Sequence, residues 1–449
     1  MMNPKKLIFG LLKISAGILL VLLLALIVIY VINPDYQIHS PENARVRLVK
    51  TDQGYQLLKD GEPFYIHGAA GDGSLERLKN LGGNSIRLYR YYHIDSLVQV
   101  ADTLGISVMV DLDLPPMRTG FDYDDPEKVD SLIAELKETV NKLKDHPSIL
   151  IWNIGNELNL FYGEDFEVWK VINSIAEMIH ETDPDHPTST AIPMVWQDMI
   201  LVRWFCPSID ILNINSFRFT LTPSSTIYTS LYGWQGPYVF GEMGPMGTWQ
   251  APANQWNVPI EWDDTRKAAH LTYIYDTLIK PDPKSLGAYA FFWGQKQERT
   301  HTWYSLFSEY GEKTPVADEL SRIWTGEYKQ NRSPQVEGIL LNGKVAKENI
   351  HLNSGEIYEA EAYVKDPEDD SIMLEWAVFK EGDYRSTFGG DKEWRPQSFP
   401  ELILEAHDKT VRFQAPEYPG DYRLFIYARD KHHNRGSLNV PFFVVLEQY

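Results

Sequence analysis

Two acidic residues stand at the ends of apolar runs that have the composition of buried strands. Glu157 closes ILIWNIGNE, where Asn156 precedes it, and Glu242 lies in YVFGEMG. Two carboxyl groups that face each other across a cleft can cleave a glycosidic bond, because one protonates the leaving oxygen while the other attacks the sugar or directs a water molecule. Sequence separation says nothing about distance, so the fold must bring them together.

Each glutamate alone has a simpler explanation. Glu157 fits a carboxylate at the start of a helix, where the helix dipole favours negative charge. Glu242 fits a turn residue between Gly241 and Gly244. The two together, each ending a strand in one regular pattern, favour a shared site.

That pattern consists of eight apolar, strand-like runs that alternate with helical stretches. The runs are residues 63–68, 84–91, 106–114, 148–157, 187–193, 209–217, 238–244 and 286–294. Residues 125–146 between them have the apolar spacing of one helical face. The count and length predict an α/β fold of the (β/α)8 TIM barrel type. A doubly wound sheet is the alternative, but its Gly-rich phosphate turn is absent from HGAAGDGS.

In such a barrel, the residues that do chemistry lie where the strands end, on one face. Polar and aromatic residues follow five of the predicted strands. They are Arg87, Asp111, Asp113, Asn156, Glu157, Glu242, Trp293 and Gln295.

The motifs WNIGNE and FGEMG resemble those of the retaining (β/α)8 glycoside hydrolases of clan A, and look nearest to the family 2 catalytic domain. The resemblance runs from about Gly54 to Ile323. It implies that Glu157 is the acid/base and that Glu242 is the nucleophile of a double displacement.

The resemblance also implies a substrate-binding set. Asn156 would bind the sugar hydroxyl beside the reacting carbon, Arg87 would keep Glu242 ionised, and Trp293 would form the floor of the site. Asn215 and Phe217 after the sixth strand, Asp113 and Gln295 at strand ends, and Trp249 in a loop complete the predicted substrate-binding set, although packing within the loop is the alternative for Trp249.

One position departs from the family pattern. After the sixth strand the clan usually has Asn-x-Tyr, whose hydroxyl contacts the nucleophile, whereas this chain has Phe217 two residues after Asn215. We expect either a retuned nucleophile or a substitute donor, for which Tyr232 and Tyr238 are the candidates.

The composition of the chain excludes several classes of binding partner and of catalytic group. A net charge of -20 argues against nucleic acid, since a phosphate binder needs a basic face. The carboxyl pair and the resemblance imply an oligo- or polysaccharide as the substrate. The single cysteine excludes an intrachain disulfide. His67, His93 and His301 lack a metal-ligand spacing, so we predict no catalytic metal and no cofactor. No G-x-S-x-G elbow occurs.

The N-terminus predicts a membrane anchor. The apolar run 14–32 is about as long as a bilayer span, and Lys5, Lys6 and Lys13 precede it, which places the rest of the chain on the extracytoplasmic side. A cleaved signal peptide is the alternative, but IYVINPDYQ lacks an A-x-A-like site.

The predicted domains follow from these features. They are a cytoplasmic stub and anchor (1–33), a linker with a barrel-capping hairpin (34–62), the barrel (63–328) and an Ig-like β-sandwich (329–449). A DPEDD cluster at 366–370 is either a calcium site or a solvated turn. Transglycosylation of a β-glucan and a glycan-binding scaffold of weak activity are the competing functions.

Overall fold

The computed structural model describes residues 15, 17–21, 23, 24, 27, 35–89, 94–160, 166–217, 233–382 and 393–446. The predicted anchor at 14–32 therefore falls largely outside the described residues. Those within it are helical with exposed aliphatic side chains, such as Leu19 at 69%. In the described part of the chain, no helix is both long and apolar enough to cross a membrane.

A small antiparallel sheet precedes the barrel. It contains β1 (Val46–Thr51), β2 (Gly54–Lys59) and β3 (Glu62–Pro63). Asp60 and Gly61 form the predicted turn between β2 and β3, and both have positive φ, as a two-residue hairpin turn requires. Pro63 pairs with Leu58 in this hairpin, so the first barrel strand starts three residues later than predicted.

Eight strands then close into a barrel in the order β10-β11-β4-β5-β6-β7-β8-β9. Their bounds are β4 Ile66–Gly71, β5 Ser85–Leu88, β6 Ser107–Leu112, β7 Ile149–Asn156, β8 Thr188–Pro193, β9 Ile211–Phe217, β10 Tyr238–Gly244 and β11 Ser285–Trp293. Neighbouring strands pair in parallel all the way round. The predicted (β/α)8 barrel is confirmed.

Helices cover the outside of the barrel. They are α1 Leu75–Asn80, α2 Ile94–Leu104, α3 Pro126–Leu143, α4 Phe166–Thr182, α5 Trp196–Phe205, α6 Asp264–Ile274 and α7 Pro315–Thr325. The predicted helix at 125–146 is α3, which begins after Asp125 because that carboxylate accepts the backbone N–H of Glu127. Such a cap stabilises a helix by about 1 kcal/mol.

Alternation along the strands divides the core into two layers. Met109 packs inside the barrel, whereas Val108 and Val110 pack against the helices, because successive side chains of a strand point to opposite faces. The interior layer fills the barrel, so polar groups reach solvent where the strands end.

The C-terminal part is a β-sandwich, as predicted. Its strands are β12 Gln335–Leu341, β13 His351–Asn353, β14 Ile357–Lys365, β15 Met373–Lys380, β16 Ile403–His407, β17 Thr410–Gln414, β18 Gly420–Arg429 and β19 Arg435–Val445. They form two four-stranded sheets, β12-β14-β17-β16 and β13-β19-β18-β15. In the DPEDD cluster, Asp366 accepts the backbone N–H groups of Glu368 and Asp370, which favours the turn.

Polar contacts join the sandwich to the barrel loops after β10 and β11. Arg423 donates to the carbonyl of Pro259 at 2.8 Å, and Ser437 donates through N and Oγ to Asp264, both at 2.8 Å. These groups are buried and paired, so they fix the docking geometry. His301, in the loop after β11, is 2.7 Å from the Tyr427 hydroxyl of β18, so the sandwich braces both loops at the mouth of the barrel.

Candidate active site

Glu157 and Glu242 both lie where barrel strands reach the open face. Glu157 directly follows β7, and Glu242 is near the end of β10. Glu157 has φ of 49°, in the left-handed region, which costs about 1 kcal/mol or more for a residue with a side chain. Its backbone N–H donates to the carbonyl of Ala191 at 2.9 Å, so the neighbouring strand β8 holds the turn in place.

Arg87, at the third position of β5, connects the polar groups of the mouth. Its side chain has no exposed surface and binds Asp111 through Nε and Nη2, the latter at 2.8 Å. Nη2 also donates to Asn156 Oδ1 at 2.8 Å, and Nη1 donates to Asn215 Oδ1 at 2.9 Å. Asp111 neutralises the buried guanidinium, so its remaining N–H groups can orient two amides and approach Glu242.

Asn215, on β9, carries this arrangement to Glu157. Its Nδ2 donates to Glu157 Oε1 at 2.9 Å and to Asn156 Oδ1 at 3.0 Å. Since its Oδ1 accepts from Arg87, the orientation of the amide is fixed. Four strands thus position the acid/base candidate through one hydrogen-bonded network.

Two groups of the same network, Arg87 and its neighbour Tyr89, lie close to Glu242. Arg87 Nη1 lies 3.7 Å from its Oε1, and the hydroxyl of Tyr89 donates to that oxygen at 3.0 Å. Gly241 makes this approach possible, because a Cβ at that position would lie 2.6 Å from Arg87 Nη1.

Burial sets the protonation of the pair. It raises the pKa of Glu157, against the hydrogen bond from Asn215 and the charge of Arg87. It also raises the pKa of Glu242, where Arg87 opposes the shift and the charge of Glu157 adds to it. Burial therefore disfavours ionisation of both carboxyls, and the charge of either one disfavours ionisation of the other. Hydrogen bonds oppose this effect at both residues, from Tyr89 to Glu242 and from Asn215 to Glu157.

The expected role of Arg87 thus needs a correction in degree. Its charge does lower the pKa of Glu242, but burial outweighs it and the net shift is upward. A guanidinium 3.7 Å away does not by itself keep this carboxyl ionised. Protonation of Glu157 is also required, because it removes the charge that raises the pKa of Glu242.

Phe217 occupies an aromatic cluster beside the carboxyls. Its ring packs edge-on against Phe291 at 5.5 Å, Tyr304 at 5.3 Å and Trp249 at 5.5 Å between centroids. Trp249 is 52% exposed, so one face of this cluster is open to solvent and to a sugar ring.

Trp293 does not belong to this cluster, and its expected role as the floor of the site is wrong. It has no exposed surface, packs against Phe307 at 4.8 Å and against Trp324 of α7, and donates through Nε1 to the carbonyl of Ser74. An irregularity in strand pairing between Phe291 and Trp293 shifts the alternation, so that Phe291 faces the barrel interior instead.

The substitute donor for the missing tyrosine hydroxyl is Tyr89. Tyr232 lies outside the described residues. Tyr238 begins β10, at the opposite end of the strand from Glu242, and packs among the helices, so that suggestion was wrong. Burial raises the pKa of Tyr89 well above its usual value and the charge of Glu242 adds to this, so the phenol keeps the proton that it donates.

The sequence did hold a signal for Tyr89. It follows Arg87 by two residues, and positions two apart along an extended chain point to the same side. Lys296 was also missed, although its charge lowers the pKa of Glu242. Asp113 is exposed and Gln295 is half-buried at the ends of their strands, and their substrate-binding roles stay predictions.

Comparison with known protein families finds a match within the barrel. Residues 72–191, which contain Arg87, Asn156 and Glu157, match the family model described as glycosyl hydrolases family 2, TIM barrel domain. This part of the barrel is therefore similar to the catalytic domain of the family 2 glycoside hydrolases.

Individual relatives align with parts of the chain. A β-glucuronidase of Sus scrofa is 22% identical over 36% of this chain and 26% of its own length. A β-galactosidase of an Arthrobacter species is 29% identical over 23% of this chain and 12% of its own length. The solved β-glucuronidase of an uncultured Clostridium species covers 63% of this chain and 53% of its own, with 18% identity and a TM-score of 0.49. The matched segments thus span a small part of these curated relatives.

Proposed function

We propose that this chain is a retaining glycoside hydrolase that cleaves a β-linked glycan with Glu157 and Glu242. The observation that carries the proposal is the network from Arg87, which reaches Glu242 directly and Glu157 through Asn215. Two carboxyls at the ends of different strands thereby belong to one network, in which burial raises the pKa of both. The retaining mechanism expects them about 5 to 5.5 Å apart.

In the first step the Glu242 carboxylate attacks the anomeric carbon while Glu157 protonates the leaving oxygen. The glycosidic bond breaks, and a glycosyl ester forms on Glu242. In the second step Glu157, now a carboxylate, takes a proton from water, and the resulting hydroxide displaces Glu242 from the same carbon. Two inversions give net retention, and the pair regains its original protonation.

Other groups of the mouth bind the sugar. Asn156 Oδ1 accepts from Arg87 and Asn215, so its Nδ2 group is the donor for the hydroxyl beside the anomeric carbon. The exposed ring of Trp249 offers an apolar face on which a sugar can stack.

The relatives' names suggest the first substrates to test. Aryl β-glucuronides and aryl β-galactosides are the starting panel, followed by oligosaccharides of defined linkage. Trapping with a fluorosugar should place the label on Glu242, and the product should form with retained configuration by proton NMR. A label elsewhere, or inverted product, contradicts the mechanism.

The enzyme would act outside the cytoplasmic membrane, held by the apolar segment 14–32. The uninterrupted run of about 19 residues and the three lysines before it support this. Membrane fractionation of cells that express the full chain tests the anchor, and a protease that cannot cross the membrane tests the orientation of the barrel.

Resolution of the glycosyl ester by a second sugar requires the same two carboxyls. Product analysis with and without an added acceptor sugar distinguishes hydrolysis from transglycosylation.

The alternative of a glycan-binding scaffold without activity loses its main support, because Tyr89 supplies the hydrogen bond that Phe217 cannot. A Glu157→Gln variant that turns over natural glycans at the wild-type rate would overturn the enzyme proposal.

A further inference from the structure

A second cluster of ionisable side chains lies at the opposite end of the barrel. His39 Nδ1 is 3.1 Å from Asp210 Oδ1, and His180 Nε2 is 2.8 Å from Asp210 Oδ2. One nitrogen or oxygen from each of the three residues lies within 4.8 Å of the others. Asp210 immediately precedes β9, and His180 is in the last turn of α4.

We propose that His39, His180 and Asp210 form a binding site for a divalent transition metal, with zinc as the best match. Two imidazole nitrogens and one carboxylate oxygen suit zinc and disfavour calcium and magnesium, which take oxygen ligands. Three protein ligands leave a fourth position for water, and the half-exposed His39 and His180 side chains, at 27% and 23%, give solvent a route to it.

The arrangement of the rings agrees with one shared ion. The two imidazoles are stacked, with an interplanar angle of 26° and 5.1 Å between their centroids. With zinc about 2.0 to 2.1 Å from each nitrogen, a tetrahedral angle would place the centroids about 5 Å apart. Neighbouring ligand atoms would then be about 3.3 Å apart, so small side-chain shifts admit the ion.

The carboxylate is already held for this task. Asp210 is 1% exposed, and its Oδ2 accepts from Thr188 N at 2.8 Å and from Thr188 Oγ1 at 3.0 Å. Hydrogen bonds to a ligating carboxylate fix its orientation and strengthen metal binding. The hydroxyl of Tyr36 donates to the backbone carbonyl of Asp210 at 2.8 Å, so the chain around His39 is attached at a second point.

Occupation of the site would tie the segment around His39 to the barrel. His39 follows the apolar run 14–32 by seven residues, whereas His180 and Asp210 belong to the barrel. The metal would thus hold the N-terminal end of the barrel beside the proposed anchor, with the mouth facing away from the membrane. This consequence for orientation rests on the anchor, but the metal site does not.

Zinc binding to the full chain tests the proposal. The protein is purified in detergent without a polyhistidine tag, stripped with EDTA, and titrated with zinc chloride against a chromophoric chelator. We expect one zinc per chain, with binding weakened in His39→Ala and in His180→Ala by well over the roughly tenfold that loss of an outer partner costs.

His146→Ala is the matched control. His146 also pairs with a carboxylate, Asp102, at 2.7 Å between Nδ1 and Oδ2, and its side chain is 27% exposed. Among the described residues, however, this pair belongs to no group of three possible metal ligands. This variant should bind zinc as the wild type does. The proposed site would be overturned if the wild type did not bind zinc. It would also be overturned if His39→Ala and His180→Ala bound zinc as tightly as the wild type.

Hydrogen exchange gives an independent readout. Zinc should slow exchange of backbone amides in residues 35–44 of the wild type and leave them unchanged in His39→Ala, whose melting curve in EDTA serves as the control for folding. Zinc that binds without protecting this segment would show that the ion does not clamp it, and would contradict the assignment of His39.

Discussion

The two ends of the barrel each hold a buried carboxylate, and their surroundings act on these groups in opposite ways. At the base, burial opposes ionisation of Asp210, but hydrogen bonds from His180 and His39 hold its pKa well below the usual range. At the mouth, burial raises the pKa of Glu242, and the opposing charge of Arg87 does not cancel the effect.

The difference lies in the number of donors. Asp210 accepts hydrogen bonds from His39, His180 and two groups of Thr188. Among the residues that the structure describes, Glu242 accepts one from Tyr89, with Arg87 at 3.7 Å. A carboxylate that accepts several hydrogen bonds stays ionised, which suits a structural group or a metal ligand. One that is held by a single donor keeps lone pairs for attack on a substrate, which is typical of functional sites.

The largest loss of activity is expected from Glu157→Gln, which tests the functional role of the carboxyls at the mouth. Loss of a general acid lowers kcat/KM by roughly 10²- to 10⁴-fold on natural glycans, and by less on aryl glycosides whose phenol leaves without a proton. Because Glu157 must be protonated, wild-type activity should fall as pH rises through its raised pKa. The variant should lack that basic limb in its pH–rate profile.

Asp198→Asn is the control for this measurement. Asp198 is 7% exposed, burial raises its pKa, and its charge raises the pKa of Glu157, yet no catalytic role is assigned to it. The variant should keep the basic limb but shift it to lower pH, because the charge that raises the pKa of Glu157 is removed. Equal losses in the two variants would show that any buried carboxyl near the mouth matters, and the assignment of Glu157 would fail.

A second prediction concerns which of two tryptophans lines the mouth of the barrel. Trp293→Ala removes a fully buried side chain and should lower the free energy of unfolding by about 3 to 5 kcal/mol. Trp249→Ala should change it by no more than about 0.5 kcal/mol, because Trp249 is 52% exposed.

Denaturant unfolding and steady-state kinetics separate these two roles. Trp249→Ala should raise KM for oligosaccharides while leaving the unfolding midpoint nearly unchanged. If Trp293→Ala instead raises KM at unchanged stability, then Trp293 does line the site and the correction made above is wrong.

These two tryptophans also show what the sequence could and could not predict. Apolar runs bounded by turns predicted all eight barrel strands, and their order placed Glu157 and Glu242 at one face. The face of Trp293 could not be read, because the irregular pairing with β4 between Phe291 and Trp293 depends on the assembled barrel. Strand alternation is reliable only where pairing is regular.

The cluster at the base was missed for a different reason. His39, His180 and Asp210 come from three separate parts of the chain, so no local spacing marks them as ligands. Tyr89, by contrast, could have been predicted from the sequence. It follows Arg87 by two residues along an extended segment, so both side chains point to the same side. Local periodicity predicts neighbours along a strand, whereas long-range clusters require the fold.

Tyr89→Phe tests the single donor at the mouth. Loss of a hydrogen bond to a charged acceptor costs about 1.5 to 3 kcal/mol, or roughly 10- to 150-fold in kcat/KM. Because the bond lowers the pKa of Glu242, its loss should move the acid limb of the pH–rate profile to higher pH. Tyr123→Phe, which removes a hydroxyl that donates to the backbone carbonyl of Pro115, should leave that limb in place. An unmoved acid limb in Tyr89→Phe would contradict its role.

The smallest effect is expected at the base, from His39→Ala without metal. In EDTA this change should cost less than about 1 kcal/mol of unfolding free energy, because the lost pair is partly exposed on the histidine side. It should leave kcat/KM unchanged, since the mouth is at the other end of the barrel. Zinc at a hundredfold excess over its dissociation constant would widen the stability gap between wild type and variant by about 2.7 kcal/mol. If the difference in unfolding free energy between wild type and variant is the same with and without zinc, Asp210 is a hydrogen-bonded structural carboxylate and not a metal ligand. A fall in kcat/KM of the variant in EDTA would show that the two ends of the barrel are coupled.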